Sequence, residues 1–183
     1  MSQKQRSAFL CFSSLAEAGY LLFEENGRLG VYRRGVRHGV DFEMALLTHP
    51  LEYRTSAKGK AISRDALLDQ TPIEEEELRA AEHCLSTLAG AVGSELTQLM
   101  DWGWEFPDDG RISFEKTAGI GAEAEVVRLI AYLDHKEHVV FELDGEPSDR
   151  DEAIAWLRQA EGDRAEREMA LLEGLLRKLQ DQG

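Results

Sequence analysis

The sequence predicts an α+β protein, with a largely antiparallel sheet built from hairpins and packed against four or five helices, one of them long and amphipathic. Three observations support this class. Asn26-Gly27 lies between two apolar-rich runs, and apolar residues recur at helical spacing over residues 78–99. Strand-like and helix-like segments do not alternate regularly, so nothing indicates the parallel sheet of a βαβ protein.

The first hairpin is predicted from its turn. Asn-Gly favours a two-residue type I′ turn because both of its residues need positive φ. We therefore expect paired strands over residues 20–25 and 28–33. Gly35 and Gly39 then lead into a third strand, Val40 to Leu47.

A long helix is predicted to begin near Thr71. Thr71 can cap a helix, Pro72 suits a first turn, and Glu74 completes a capping box. We expect either one helix of about 25–28 residues or two helices broken near Gly90 and Gly93. Its apolar stripe comprises Leu78, Ala81, Leu85, Leu88, Val92, Leu96 and Leu99.

The following segments change period. Trp102, Trp104 and Phe106 alternate before a turn at 107–110, and Ile112 with Phe114 alternates after it, which predicts a second hairpin. Residues 122–133 are predicted to be helical, with five side chains facing inward: Val126, Val127, Leu129, Ile130 and Leu133.

The last third of the chain is predicted to hold one strand and two helices. Val139, Phe141 and Leu143 alternate as a strand. Ser148 with Asp151 is expected to cap the next helix, and Gly162 separates that helix from a final one. The final helix carries Met169, Leu172, Leu176 and Leu179.

Composition and length indicate a globular chain. It has 183 residues, 43% of them hydrophobic, which suits a single domain over residues 1–183. A subdivision into a basic hairpin lobe (1–60) and an acidic helix-rich lobe (61–183) is the alternative. Cys11 and Cys84 have no CxxC spacing, so we expect reduced thiols and a cytoplasmic location. Residues 7–15 loosely resemble a signal peptide, but the stretch is short and contains two serines.

The charge is unevenly distributed. The net charge is −14, and residues 101–152 carry 15 acidic against 5 basic residues. Residues 28–38 hold four arginines and no acidic residue. Such a field repels nucleic acid and membranes and attracts basic surfaces. We expect the arginines to neutralise acidic groups within the same fold.

The residues 134–138 form the densest group of potential ligands, with two histidines and two carboxylates. Their spacing matches no known metal motif, so a solvated connection is the preferred interpretation and His135 and His138 are weak metal candidates. Adjacent His83 and Cys84 point in different directions on a helix and cannot pair as base and nucleophile. We assign no catalytic residue, no metal and no cofactor.

The leading functional hypothesis is a non-enzymatic module that binds a basic protein. It would act as an inhibitor or as a nucleic-acid mimic on a nucleic-acid-handling protein, as phage counter-defence and immunity proteins do. Two alternatives stay open: a small hydrolase with a carboxylate or histidine site, and a homo-oligomeric scaffold or chaperone. The predicted partner-binding residues are Asp101, Glu105, Asp108, Asp109, Glu115, Asp144 and Glu146.

Overall fold

A computed structural model describes residues 3–106, 112–120, 125–136 and 138–179, and it confirms the α+β class. The strands form two antiparallel four-stranded sheets, each a meander in which consecutive strands pair. Sheet A contains β1 (Leu21–Glu25), β2 (Arg28–Arg37), β3 (Val40–Leu47) and β4 (Glu52–Arg54). Sheet B contains β5 (Ser113–Ile120), β6 (Glu125–Leu133), β7 (Val139–Leu143) and β8 (Glu146–Ser148). The α-helices are α1 (Gln3–Glu17), α2 (Arg64–Gln70), α3 (Glu75–Asp101), α4 (Arg150–Glu161) and α5 (Ala165–Leu179).

The predicted first hairpin is confirmed. Asn26 and Gly27 have φ of 52° and 77°, and Glu25 pairs with Arg28 across the turn. A carboxylate oxygen of Glu24 accepts a hydrogen bond from the Gly27 N–H at 2.6 Å. The mandatory positive φ values explain why Asn-Gly was a reliable local signal.

The predicted long helix is also confirmed, as the single element α3. Val92 has non-helical angles (φ −139°, ψ 15°), so the helix kinks between Gly90 and Gly93. The outcome is one continuous element with a kink at the position predicted for a possible break. α3 contacts β1 and β2 of sheet A and also packs against α1 and α5. Its predicted stripe is buried throughout: Leu78, Ala81, Leu85, Leu88, Val92, Leu96 and Leu99.

The predicted start of this helix was wrong by three residues. Thr71 instead ends α2, where its hydroxyl donates to the Leu67 carbonyl at 2.8 Å. The cap of α3 is Glu74, whose backbone N–H donates to the Glu77 carboxylate at 2.9 Å. The short α2 was not predicted, because a seven-residue helix shows too few turns for its periodicity to be recognised.

The prediction of a helix over residues 122–133 was wrong, because the described part of this segment is strand β6. β6 is a central strand, paired with β5 on one side and with β7 on the other. Leu129 and Ala131 are buried on the core face, and Ile130 is only 6% exposed on the opposite face. Apolar residues on both faces of a central strand obscure the two-residue alternation and imitate helical spacing.

The second predicted hairpin is present only as a short contact. α3 continues to Asp101, and Glu105 then exchanges two backbone hydrogen bonds with Glu115, at 2.8 and 2.9 Å. The predicted turn at 107–110 lies outside the described residues. The cap of α4 is displaced by one residue from its predicted position: Asp149 accepts from the Glu152 N–H at 2.8 Å.

Helix α1 was not predicted as a helix. Its buried residues Ala8, Cys11, Phe12 and Leu15 belong to the same hydrophobic cluster as the α3 stripe. That cluster extends from sheet A to sheet B, while the subdivision near residue 60 stays a prediction. Among the described residues, no helix combines the length and the apolar content needed to cross a bilayer.

A buried ionic cluster joins α5 to sheet B. Lys116 of β5 is 3% exposed, and its ammonium donates to three acceptors: the Glu168 carboxylate (2.8 Å), the Glu161 carboxylate (2.6 Å) and the Trp102 carbonyl (2.7 Å). Glu168, which is fully buried, also accepts from Arg164 at 2.8 Å. Two cations and two carboxylates therefore balance, and every ammonium hydrogen has a partner, as burial of such charges requires.

Candidate protein-interaction surface

The basic segment of β2 is neutralised inside the fold. Its four arginines, Arg28, Arg33, Arg34 and Arg37, all pair with carboxylates: Glu52 at 3.1 Å, Glu77 at 3.6 Å, Glu43 at 2.9 Å and Glu77 at 2.7 Å, respectively. The prediction of internal neutralisation is confirmed for this segment. Its charge is used to hold β2 to neighbouring elements.

Glu77 connects this segment to α3. Both guanidinium nitrogens of Arg37 donate to the Glu77 carboxylate, at 2.7 and 2.8 Å. These bonds lower the pKa of Glu77 to about 2 from its usual 4.5. A group whose pKa is lower in the folded state stabilises the fold above its unfolded pKa and loses that effect as the pH falls.

We therefore predict that Glu77→Gln lowers the free energy of unfolding at pH 7 by about 1–2 kcal/mol, since a side chain one-third exposed is screened by solvent. The difference from wild type should shrink as the pH falls from 4.5 to 2. Urea titrations across this range measure it. Glu76→Gln, an exposed neighbour with no ion pair among the described residues, is the control. A difference that does not change with pH would contradict the ion-pair explanation.

The predicted acidic residues differ in how they are compensated. Asp101, Glu105, Asp144 and Glu146 are exposed and have no ion pair within the described residues. Glu115 is only 20% exposed and lies 3.7 Å from Arg128. The other two members of the set, Asp108 and Asp109, lie outside the described residues.

Strand register brings two of these carboxylates onto one face. Glu105 pairs with Glu115, Glu115 pairs with Ile130, and Ile130 pairs with Glu142. Residues directly opposite each other in antiparallel strands project from the same face of a sheet. We name this row of three glutamates, Glu105, Glu115 and Glu142, the acidic face.

The acidic face is on the side of sheet B that is turned away from the main core. Leu129 and Phe141 belong to the cluster that includes the α4 residue Leu157, whereas Ile130 does not belong to it. Glu142 was not among the predicted residues. The alternation of residues 139–143 could have identified it, because Val139 and Phe141 must face the opposite side.

Glu105 and Glu115 form a like-charged cross-strand pair. Like charges directly opposite each other destabilise a sheet. Arg128 offsets part of this repulsion at Glu115, while Glu105 has no ion pair among the described residues. Glu105 therefore contributes a negative charge to the acidic face that no ion pair among the described residues offsets.

The other predicted residues do not join the acidic face. Asp101 lies at the end of α3, and Asp144 lies in the turn between β7 and β8. Glu146 pairs with Leu143, whose register partner Leu129 faces the core, so Glu146 projects towards the side of α4. The structure thus divides the predicted set among three locations.

The described members of the group at 134–138 lie between β6 and β7. The Asp134 carboxylate accepts backbone N–H bonds from His138 and Lys136, both at 2.8 Å, and these bonds lower its pKa. The Nδ1 of His138 lies 3.6 Å from the same carboxylate, and His135 is exposed. Across the described ranges, no three His, Cys, Asp or Glu side chains are placed to hold a metal ion.

The cysteines lie at the contact between α1 and α3. Both are free thiols, and Cys11 is buried. Burial raises the pKa of Cys84 to about 12, and the neighbouring Cys11 thiol contributes in the same direction. A thiol with so high a pKa is almost entirely protonated at neutral pH and is a poor nucleophile.

Comparisons with known proteins test whether this arrangement occurs elsewhere. They covered protein-family models, curated proteins and solved structures. None of the three comparisons finds a match. The function is therefore inferred from the residues of this chain.

Proposed function

We propose that this protein is a non-enzymatic module that binds a basic protein partner through the acidic face and the neighbouring carboxylates of sheet B. The observation that carries the proposal is the contrast between the two charged regions. The arginines of β2 are all paired, whereas Glu105, Asp144 and Glu146 have no ion pair among the described residues.

Long-range electrostatics supports a binding role for the carboxylates that have no ion pair. Unpaired surface carboxylates project a field that attracts cations and accelerates the approach of a basic surface. The register places Glu105, Glu115 and Glu142 in one row, so a basic partner would meet several carboxylates at once. The partner class we favour is a nucleic-acid-handling protein, whose phosphate-binding surface is basic. The two free thiols suit a cytoplasmic setting.

The test compares two triple variants as baits in lysate of the native host, followed by quantitative mass spectrometry. The acidic-face variant is Glu105→Gln, Glu115→Gln and Glu142→Gln. The control variant neutralises the same number of exposed carboxylates on α2 and α3: Asp65→Asn, Asp69→Asn and Glu76→Gln. We expect wild type and control to capture the same basic protein and the acidic-face variant to lose most of it.

Binding kinetics with the captured protein complete the experiment. The association rate should fall as salt rises beyond physiological strength, where the screening length is about 8 Å, and the dissociation rate should change less. The proposal is wrong if both triple variants bind like wild type, or if the captured protein is acidic and its association rate does not depend on salt.

A further inference from the structure

An open groove of about 450 Å³ lies between β8 and one side of α4. Its lining combines apolar and acidic side chains and contains no lysine or arginine: Leu143, Glu146, Pro147, Ser148, Glu152, Ala155, Trp156 and Gln159. The groove lies at the sheet edge formed by β8: Glu146 projects to the α4 side, whereas Pro147 pairs with Glu142 and projects to the side of the acidic face.

The two carboxylates of the groove differ in the hydrogen bonds that they accept from the protein. Glu152 accepts from the Ser148 hydroxyl at 3.0 Å and from the Asp149 N–H at 3.4 Å, so its position is fixed by the start of α4. Glu146 is exposed and has no ion pair in the part of the chain that the structure describes. Two anions without a lining cation make the groove complementary to a positively charged group.

Trp156 provides an independent indication that the groove takes a ligand. Its side chain is 7% exposed, and it lines the groove. Its Nε1–H is buried and has no hydrogen-bond acceptor, the only such side-chain group among the described residues. Buried donors are nearly always paired in native proteins, so an acceptor supplied by a ligand would complete this site.

We propose that this groove binds an arginine side chain of the basic partner, an inference that rests on the proposed function. The aliphatic stem would lie against Leu143 and Trp156, and the planar guanidinium has enough donors for both Glu146 and Glu152. A backbone carbonyl of the partner would accept from the Trp156 N–H after a small rotation of the indole. Lysine fits less well because it is a point charge with no planar fork.

The test titrates the ¹⁵N-labelled protein with acetyl-arginine methylamide and follows the indole N–H resonances by NMR, with Trp156 assigned through Trp156→Phe. We expect a saturable shift of the Trp156 indole with a Kd in the millimolar range, as suits so small a ligand. Acetyl-citrulline methylamide, which is neutral and nearly isosteric, should produce no saturable shift. Acetyl-lysine methylamide should bind more weakly than the arginine probe.

Matched variants locate the interaction. Glu146→Gln should weaken arginine binding by about threefold, as expected for one partly exposed ion pair. Asp144→Asn, which removes an exposed charge two residues away and outside the groove, should leave the affinity unchanged. Equal shifts with arginine and citrulline, equal losses in the two variants, or no shift at the solubility limit would each overturn the groove proposal.

Failure of the groove and failure of the proposed function give different results. If the groove alone is wrong, the probe does not bind, yet the captured basic partner is still lost when the acidic face is neutralised. If the proposed function is wrong, neutralising the acidic face changes no capture, whatever the probe does. If the groove proposal and the proposed function are both right, Glu146→Gln also weakens binding of the captured partner.

Discussion

Replacing Leu88 by aspartate should leave the protein unfolded at 25 °C. Leu88 is fully buried on α3, and Leu85 one turn earlier is equally buried. A carboxylate at either position would lie within the hydrophobic core cluster, and it costs several kcal/mol in either its charged or its protonated form. Because a domain is stabilised by only about 5–15 kcal/mol, we expect the same outcome for Leu85→Asp.

Circular dichroism and thermal melting measure this effect. The matched control is Leu10→Asp on α1, because the Leu10 side chain is 56% exposed. The control should melt within a few degrees of wild type. Cooperative, wild-type-like melting of Leu85→Asp and Leu88→Asp would show that the stripe is accessible and would favour a role for α3 in binding a partner.

Removal of the buried ammonium, by Lys116→Met, should lower the free energy of unfolding by about 3–5 kcal/mol. Methionine fills much of the same volume, but it leaves the carboxylates of Glu161 and Glu168 with Arg164 as their only cation in the described part of the chain. Burial by itself raises the pKa of Glu161, yet Lys116 and Arg164 outweigh it and the net pKa is lowered. Loss of Lys116 removes the largest of these compensating interactions.

Urea denaturation of two further variants separates charge from packing. Lys136→Met removes an exposed lysine in the turn between β6 and β7 and should change stability by less than about 0.5 kcal/mol. The double variant Lys116→Met with Glu168→Gln removes one charge of each sign, and the glutamine oxygen can still accept from the buried Trp104 Nε1–H that Glu168 binds at 3.0 Å; it should recover part of the loss. If Lys116→Met alone is as stable as wild type, the ionic cluster contributes nothing to the free energy of unfolding.

Prediction from sequence succeeded where a local physical rule decides the structure. The Asn26-Gly27 turn follows from the φ values that its two residues tolerate, and the α3 stripe follows from a period repeated over about six turns. The kink of α3 at Val92 lies between Gly90 and Gly93, the two glycines near which a break was predicted. Each of these features depends on residues close together in the chain.

Prediction failed where pairing with a neighbouring strand determines the secondary structure. Residues 125–133 have apolar side chains on both faces, and only pairing with β5 and β7 makes this segment a strand. The same pairing places Glu142 beside Ile130 and Glu115, although the glutamates are 27 residues apart in the chain. Glu146, which is close to Glu142 in sequence, is directed to the opposite face.

The sequence by itself therefore determined the α+β class, the first hairpin, the buried face of α3 and the excess of acid in its second half. Only the tertiary structure decided which acidic groups lie together, which are neutralised and which line a groove. The physical reason is the range of the interactions. Turn geometry and helical periodicity are settled within a few residues, whereas strand register and ion pairing such as Lys116 with Glu168 depend on contacts between distant segments.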